Sequence, residues 1–249
     1  MSGSWKTGIG LARSLLIYRA RPGLIPRLAR FYADFLGPGD LAFDIGAHVG
    51  NRTHAMLRTG ARVLALEPQR RFHDFLAKDL PSEARLLRLA AGPAPGRGRL
   101  KVSRLHPTVT SLAPDFAARM REAPGFRHVR WDDEEVVEIT TLDLLIAEHG
   151  RPKLIKIDVE GYEADILEGL SQPIPLIAFE ALPSLPGEAL RALGRLGRIG
   201  DYRFNHIEGE GTRLSLAEWV DAGTMTTFLR SARRSGDVYA RLPGEPPGT

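Results

Sequence analysis

From residue 37 onward the chain alternates short apolar runs, glycine- or proline-containing turns, and segments whose apolar side chains recur every third or fourth position. The runs predict strands over residues 41–45, 62–67, 85–90, 154–159 and 174–180. The recurring segments predict helices over 52–58, 69–80, 142–149, 162–170 and 188–196; in the second of these Phe72, Phe75, Leu76 and Leu80 share one side. Residues 136–140 alternate as a strand does, 100–103 read as an extended edge piece, and 92–98, with three glycines and two prolines, read as a turn. Residues 202–206 and 238–242 form a terminal antiparallel pair, bridged by 216–233. Strands alternating with helices place helices on both faces of a mostly parallel sheet. The expected class is therefore α/β: a doubly wound, Rossmann-like sheet with a terminal antiparallel strand.

Residues 1–36 read as a helical lead-in, split by Pro22-Gly23. Leu11, Leu15, Leu16, Leu24, Ile25, Leu28, Phe31 and Phe35 can form an apolar stripe, with arginines at other positions. The favoured expectation is a helix packed on the domain with its arginines in water. The alternative is a basic amphipathic helix lying on a membrane or over a ligand mouth. Residues 37–242 make up the main domain, with 104–135 as an irregular insertion on the substrate side carrying a short helix over 116–121, and 243–249 as a frayed tail.

The chain of 249 residues can bury a sizeable core and is within the range of a single α/β unit. It has no cysteine, which excludes disulfides, thiolate zinc sites and cysteine nucleophiles. No apolar run approaches the length of a membrane span, so the cytoplasm is the expected compartment. The net charge of +4 comes with 29 arginines against 5 lysines and no aromatic-plus-basic cluster, so nucleic acid is not the expected partner.

Candidate chemistry gathers at predicted strand ends, where doubly wound sheets hold their ligands. Asp44, Glu67, Asp158 and Glu180 each close a predicted strand. The first strand runs into Asp44-Ile45-Gly46-Ala47-His48-Val49-Gly50 and then a helix, a turn that lets a ligand lie against bare backbone. Glu67 follows at the distance where a ribose hydroxyl pair is gripped in such sheets, so a nucleoside-containing cofactor is expected. His48 stands where a dinucleotide fingerprint has its middle glycine, and histidine tolerates positive φ without opening room for a pyrophosphate. That argues against NAD and FAD and suits a cofactor without phosphate. A ligand-free strand-to-helix turn is the plainer alternative.

In Lys156-Ile157-Asp158-Val159-Glu160-Gly161, strand alternation puts Lys156, Asp158 and Glu160 on one face. Asp158 and Glu160 then either pair with the buried lysine and cap the next helix, or stand over a reaction centre and handle a substrate hydroxyl. Glu180 and His206, at or near strand ends, are the candidates for the acceptor side, with His106 a further histidine in reach. Asp158, Glu160 and Glu180 have the chemistry for Mg²⁺, but nothing in the sequence demands a metal. Asn51-Arg52-Thr53 is formally a glycosylation acceptor and is read as chance.

These residues resemble a known family. Residues 43–50, then Glu67-Pro68, Thr141-Leu142-Asp143, and Leu154-Ile155-Lys156-Ile157-Asp158-Val159-Glu160-Gly161-Tyr162-Glu163 look like the FkbM-type methyltransferases, over roughly residues 40–207. The family usually has asparagine where His48 stands. The resemblance implies a class I methyltransferase fold that binds S-adenosyl-L-methionine and methylates oxygen on a small molecule, natural product or sugar. By that resemblance Asp44, Gly46, Ala47, His48 and Gly50 line the methionine half, Glu67 takes the ribose hydroxyls, Ala90 and Ala91 approach the adenine, and the piece around Ser111 lies near the donor. Asp158 and Glu160 flank donor and acceptor as the catalytic pair. A donor without phosphate and with a positive sulfur agrees with the turn and the acidic strand ends. The competing expectations are an NAD-type oxidoreductase on the same fold and a non-catalytic basic module binding RNA or a membrane surface, for which the arginine-rich lead-in is the support.

Overall fold

The computed structural model describes residues 11–19, 21–103, 105, 110–113 and 129–244. Its strands are β1 (Leu41–Ile45), β2 (Arg62–Leu66), β3 (Ala84–Leu87), β4 (Ala90–Ala91), β5 (Gly96–Val102), β6 (Asp133–Thr140), β7 (Leu154–Ile157), β8 (Leu176–Ala181), β9 (Arg203–Glu208) and β10 (Gly236–Arg241). Seven of them form the central sheet in the order β3-β2-β1-β7-β8-β10-β9. β10 runs antiparallel to both of its neighbours, and the remaining pairs are parallel.

Alternate residues along the strands enter two different cores, as the pleat requires. Phe43, Ile45, Leu64, Leu66, Ile155, Ile157, Ile177 and Phe179 face one cluster with Leu142, Leu145, Ile166, Leu167, Leu193 and Leu196. Those partners belong to α4 (Leu142–His149), α5 (Glu163–Glu168) and α6 (Pro186–Ile199), and Met225 of α7 (Ala222–Ser231) joins them. Ala42, Val63, Leu154, Leu176, Ala178 and Tyr239 face the opposite cluster, against α1 (Leu24–Tyr32) and α2 (Asn51–Leu57). α3 (Arg70–Asp79) buries Phe72 and Leu76, as its spacing predicted.

The lead-in is thus part of the core: Leu24, Leu28, Phe31 and Tyr32 are buried, and Phe31 meets Tyr239 edge-on at 5.3 Å. Residues 11–19 are helical, with Leu15–Arg19 wound as a π-turn. They lie over the β1–α2 turn, where Arg19 Nε donates to the Val49 carbonyl at 3.1 Å and its guanidinium pairs with Asp79.

Two expectations need correction. Residues 85–90 are not one strand: β3 ends at Leu87, and β4 changes partner to pair with β6 in a second sheet, β4-β6-β5. The expected turn over 92–98 is partly strand, because β5 begins at Gly96 and Arg97 and Arg99 pair across to Glu138 and Glu134. The expected terminal antiparallel pair is present: β10 runs antiparallel to β9 and lies between β8 and β9, leaving β9 at the edge. The short helix expected over 116–121, and His106, lie outside the described residues.

Candidate active site

The carboxyl ends of β1, β2, β7 and β8 open on one cleft. Its lining includes Asp44, Gly46, Ala47, His48, Glu67, Ala91, Ser111, Asp158, Glu160 and Glu180, all expected from sequence. Gly50 stands behind the lining at φ 79°, where an added Cβ would meet Leu76 at 2.8 Å. Gly46 has a sharper constraint. At φ 90° a Cβ would lie 2.1 Å from the Asp158 carbonyl oxygen, so the β1 turn closes directly onto the end of β7. Among the described residues only His48 (φ 50°) and Glu160 (φ 57°) have positive φ without being glycine, and both line the cleft. Backbone strain held at a cleft by its surroundings is a mark of a working site.

Glu67 is buried and ties two loops together. Its Oε2 accepts the His48 N–H and its Oε1 the Gln69 N–H, each at 2.8 Å. Each oxygen keeps lone-pair capacity for a hydroxyl. Burial raises its pKa to about 8, against the pull of those two N–H groups. Asp44 is buried and accepts from the Thr53 hydroxyl at 2.5 Å; burial raises its pKa too, and Thr53 opposes the shift. The His48 ring packs on Phe72 at 4.4 Å and its Nε2 lies 3.1 Å from the Ser14 hydroxyl, while burial lowers its pKa to about 4.

At the end of β7, Asp158 Oδ2 lies 3.1 Å from Lys156 Nζ, which is fully buried. Burial favours the neutral acid, but Lys156 and then Arg52 outweigh it and hold Asp158 below the ordinary carboxylate pKa. Lys156 is raised in turn, since Asp158 and Asp237 outweigh its own burial. Glu163, at the start of α5, accepts the Val159 and Gly161 N–H groups at 3.1 and 3.2 Å and so shapes the loop that carries Glu160. Burial, then the charges of Asp158 and Glu163, push Glu160 well above the usual carboxylate range. Glu180 is raised likewise by burial and then by Glu160. Glu160 therefore does not pair with Lys156: β7 ends at Ile157, and the alternation that would align the two stops there.

The lysine's second partner escaped the sequence reading. Asp237 of β10 takes Lys156 Nζ at 3.0 Å and Arg52 at 2.9 Å. Arg52 also reaches the Tyr32 hydroxyl at 3.3 Å and Glu210 at 3.4 Å. Arg52 belongs to the triplet read as a chance glycosylation signal. In fact Asn51 and Arg52 line the cleft and Thr53 is buried against Asp44. Their place at a helix start directly after a ligand turn was the available signal. His206 is not among the lining residues; it is buried on β9, 3.1 Å from the Ser215 hydroxyl and against Phe228.

A parallel sheet with one antiparallel strand second from its edge, a glycine turn after β1 and an acid after β2 make up a Rossmann-like fold of the class I methyltransferase type. The methyltransferase FkbM domain matches residues 44–231, and the chain belongs to that family. No curated protein matches it in sequence. Solved structures that align with it include precorrin-6y C5,15-methyltransferase from Geobacter metallireducens, at 12% identity over 87% of each chain with a TM-score of 0.46. A TehB-like SAM-dependent methyltransferase from Corynebacterium glutamicum aligns at 12% identity over 93% of this chain and 98% of that one, TM-score 0.46. An O-methyltransferase from Bacillus cereus solved in complex with SAH aligns at 12% identity over 94% and 90%, TM-score 0.46. Family membership replaces the oxidoreductase expectation.

The cofactor of a methyltransferase of this family is S-adenosylmethionine, and the residues present fit it. Gly46 leaves bare backbone where any Cβ would collide. Glu67 offers two fixed acceptor oxygens for a diol. The lining carries Asp44 and Asp158 beside the turn for a positive sulfur, and Leu89, Ala90 and Leu112 as apolar surface for a base. Among the described residues no group of three or more His, Cys, Asp or Glu side chains is placed to hold a metal ion, and no helix is long and apolar enough to cross a membrane.

Proposed function

We propose that the protein methylates a hydroxyl oxygen on a small molecule, natural product or sugar. One observation carries this reading: Asp158 lines the cleft with its carboxylate 3.1 Å from the buried Lys156 ammonium, and its backbone abuts the Gly46 turn. Bound S-adenosylmethionine supplies an electrophilic methyl on a positive sulfur. The chain's own residues supply alignment, which is most of what an in-line displacement needs. Asp158 accepts the hydrogen bond of the acceptor hydroxyl and so orients an oxygen lone pair. As the oxygen gains its new bond the hydroxyl proton becomes strongly acidic, and even a carboxylate of lowered basicity such as Asp158 is enough to take it. Glu160 flanks the acceptor. Thr110, Ser111, Leu112 and Glu210 complete the lining on this side of the cleft, and the reaction takes place in the cytoplasm.

Calorimetry with S-adenosylhomocysteine tests the donor half. Micromolar binding is expected, and Glu67→Ala weakens it by about tenfold or more, as loss of the hydrogen bonds to the ribose hydroxyls implies. A folded sample that does not bind overturns the reading. Turnover with a methyl-¹³C-labelled donor and a panel of polyols and amino alcohols tests the acceptor atom by NMR of the product: an O-methyl carbon is expected, and a methyl found only on nitrogen or carbon overturns O-methylation.

A further inference from the structure

The strand order divides the cleft. Glu67 ends β2 and the glycine turn follows β1, while Glu160 follows β7 and Glu180 lies near the end of β8. Strands are spaced by about 4.8 Å, so Glu180 is about 10 Å from the β1 turn and about 14 Å from Glu67. The donor's positive sulfur, beside the β1 turn, cannot sit against both Glu160 and Glu180.

The carboxylates on the acceptor side differ in how they are partnered. Asp158 has Lys156, and Glu163 has two backbone N–H groups. Glu210 and Asp237 share Arg52. Among the described residues Arg52 is the one Lys or Arg in the lining, and three carboxylates already surround it. Glu160 and Glu180 have no hydrogen bond or ion pair in the described residues, and Glu180 Oε2 is closed off from solvent as well. A carboxylate oxygen buried without a partner is costly unless something in the functioning complex meets it. Glu160 is also held there in a left-handed conformation that its backbone resists. These are two independent signs, an orphaned buried acceptor and local strain, on adjacent side chains of one cleft. An organic ammonium, with three donors and one positive charge, is a countercharge that two adjacent carboxyl groups suit.

We propose that the methyl acceptor is an amino alcohol of the amino-sugar or aminocyclitol kind, whose ammonium is held by Glu160 and Glu180 while its hydroxyl faces Asp158. This rests on the methyltransferase reading above and narrows its substrate class. An ammonium has three donors, enough to meet the Glu180 oxygen, a Glu160 oxygen and one further acceptor. A neutral polyol of the same shape offers the two acids hydroxyls but no positive charge, so the amine is the better fit.

The test uses the full chain loaded with S-adenosylmethionine and matched probes: methyl glucosaminide against methyl glucoside and against its N-acetylated form, and 2-deoxystreptamine against a neutral cyclitol. Release of S-adenosylhomocysteine is the readout. The free amine of each set is expected to turn over with kcat/KM higher by about tenfold or more, the scale of one charge-assisted contact. Glu180→Gln and Glu160→Gln are expected to shrink that amine-to-neutral ratio toward one, a ratio that does not depend on how much of a variant folds. Equal or better use of the neutral or acetylated probes overturns the proposal, as does turnover of no amine probe at all by protein that binds S-adenosylhomocysteine. Failure to bind S-adenosylhomocysteine is the separate result that removes the methyltransferase reading itself.

Discussion

Asp237→Asn is the sharpest probe of the polar network beneath the site. The native carboxylate gives one oxygen to Lys156 at 3.0 Å and the other to Arg52 at 2.9 Å, and its side chain is 5% exposed. Asparagine keeps one acceptor oxygen and turns an N–H₂ toward the second cation. Breaking a buried ion pair on one side costs about 3–5 kcal/mol, because the other charge is left uncompensated. Here both cations keep other partners. Lys156 retains Asp158 at 3.1 Å and the Ile157 carbonyl at 3.1 Å, and Arg52 retains Tyr32 and Glu210. The expected loss is therefore about 2–4 kcal/mol. For a chain of this size that is a fall in Tm of about 6–12 °C, measured by calorimetry or circular dichroism. Lys156→Met in the same background removes one of the stranded charges, so the double variant is expected to be more stable than the sum of the single losses by about 2 kcal/mol. Asp237 is outside the cleft lining, so affinity for S-adenosylhomocysteine is expected to change less than turnover, which depends on where Lys156 holds Asp158. A single variant within about 1 °C of wild type, or strictly additive losses, refutes the claim that Asp237 neutralises both cations.

Two further outcomes follow from local geometry. Gly46→Ala forces a Cβ to within 2.1 Å of a backbone oxygen at φ 90°, so it is expected to lose about 2 kcal/mol or more and most of its donor affinity; Gly209→Ala, at φ 55° with open space around it, is the control that carries the backbone strain alone, and equal effects of the two sink the argument. His48 is neutral in the folded protein, with its pKa lowered from 6.5 to about 4, so its contribution to stability is present above pH 6.5 and is lost as pH falls toward 4. The full shift corresponds to about 3 kcal/mol. Thermal unfolding at pH 7 and pH 4.5 is expected to show a larger drop for the wild type than for His48→Asn, and parallel drops contradict it.

The donor half was legible because its parts are local. β1, the turn, α2, β2 and Glu67 lie within one continuous stretch, and each has its own pattern: apolar run, glycine, helix start, acid at a fixed distance. Helix α4 matches the expected 142–149, and its ends are fixed locally: Thr141 accepts from the Leu144 N–H at 3.2 Å and Gly150 follows it. The strand break between Leu87 and Ala90 was not legible, since an apolar run does not say whether its ladder partner is β2 or β6. Nor was β10's place inside the sheet, because an antiparallel strand pairs equally well at either side of β9 as far as its own residues show. His206 was drawn toward the site on the strength of being a histidine near a strand end, and the placement of β9 at the sheet edge puts it against Phe228 instead.

The ion network shows why that topological gap mattered for chemistry. Lys156, Ala178 and Tyr239 lie in register across β7, β8 and β10, and Asp237 is two residues from Tyr239 on the same face. A lysine on β7 reaches a carboxylate on β10 only by passing over β8, and the residue it passes is an alanine, buried and too short to obstruct it. Asp44 lies opposite Lys156 on the other side, in register on β1. The buried lysine thus connects the first strand of the chain's sheet to its last, and the charge state of Asp158 depends on a residue about 80 positions away that only the insertion of β10 brings near. An unexplained small residue beside a buried charge is the sequence-level trace of such a reach. It predicts that enlarging Ala178 acts like removing Asp237: Ala178→Leu is expected to part Lys156 from Asp237, adding overpacking of about 1–3 kcal/mol. Combined with Asp237→Asn it is expected to cost less than the two changes apart, and full additivity in urea unfolding would show that the lysine takes another path.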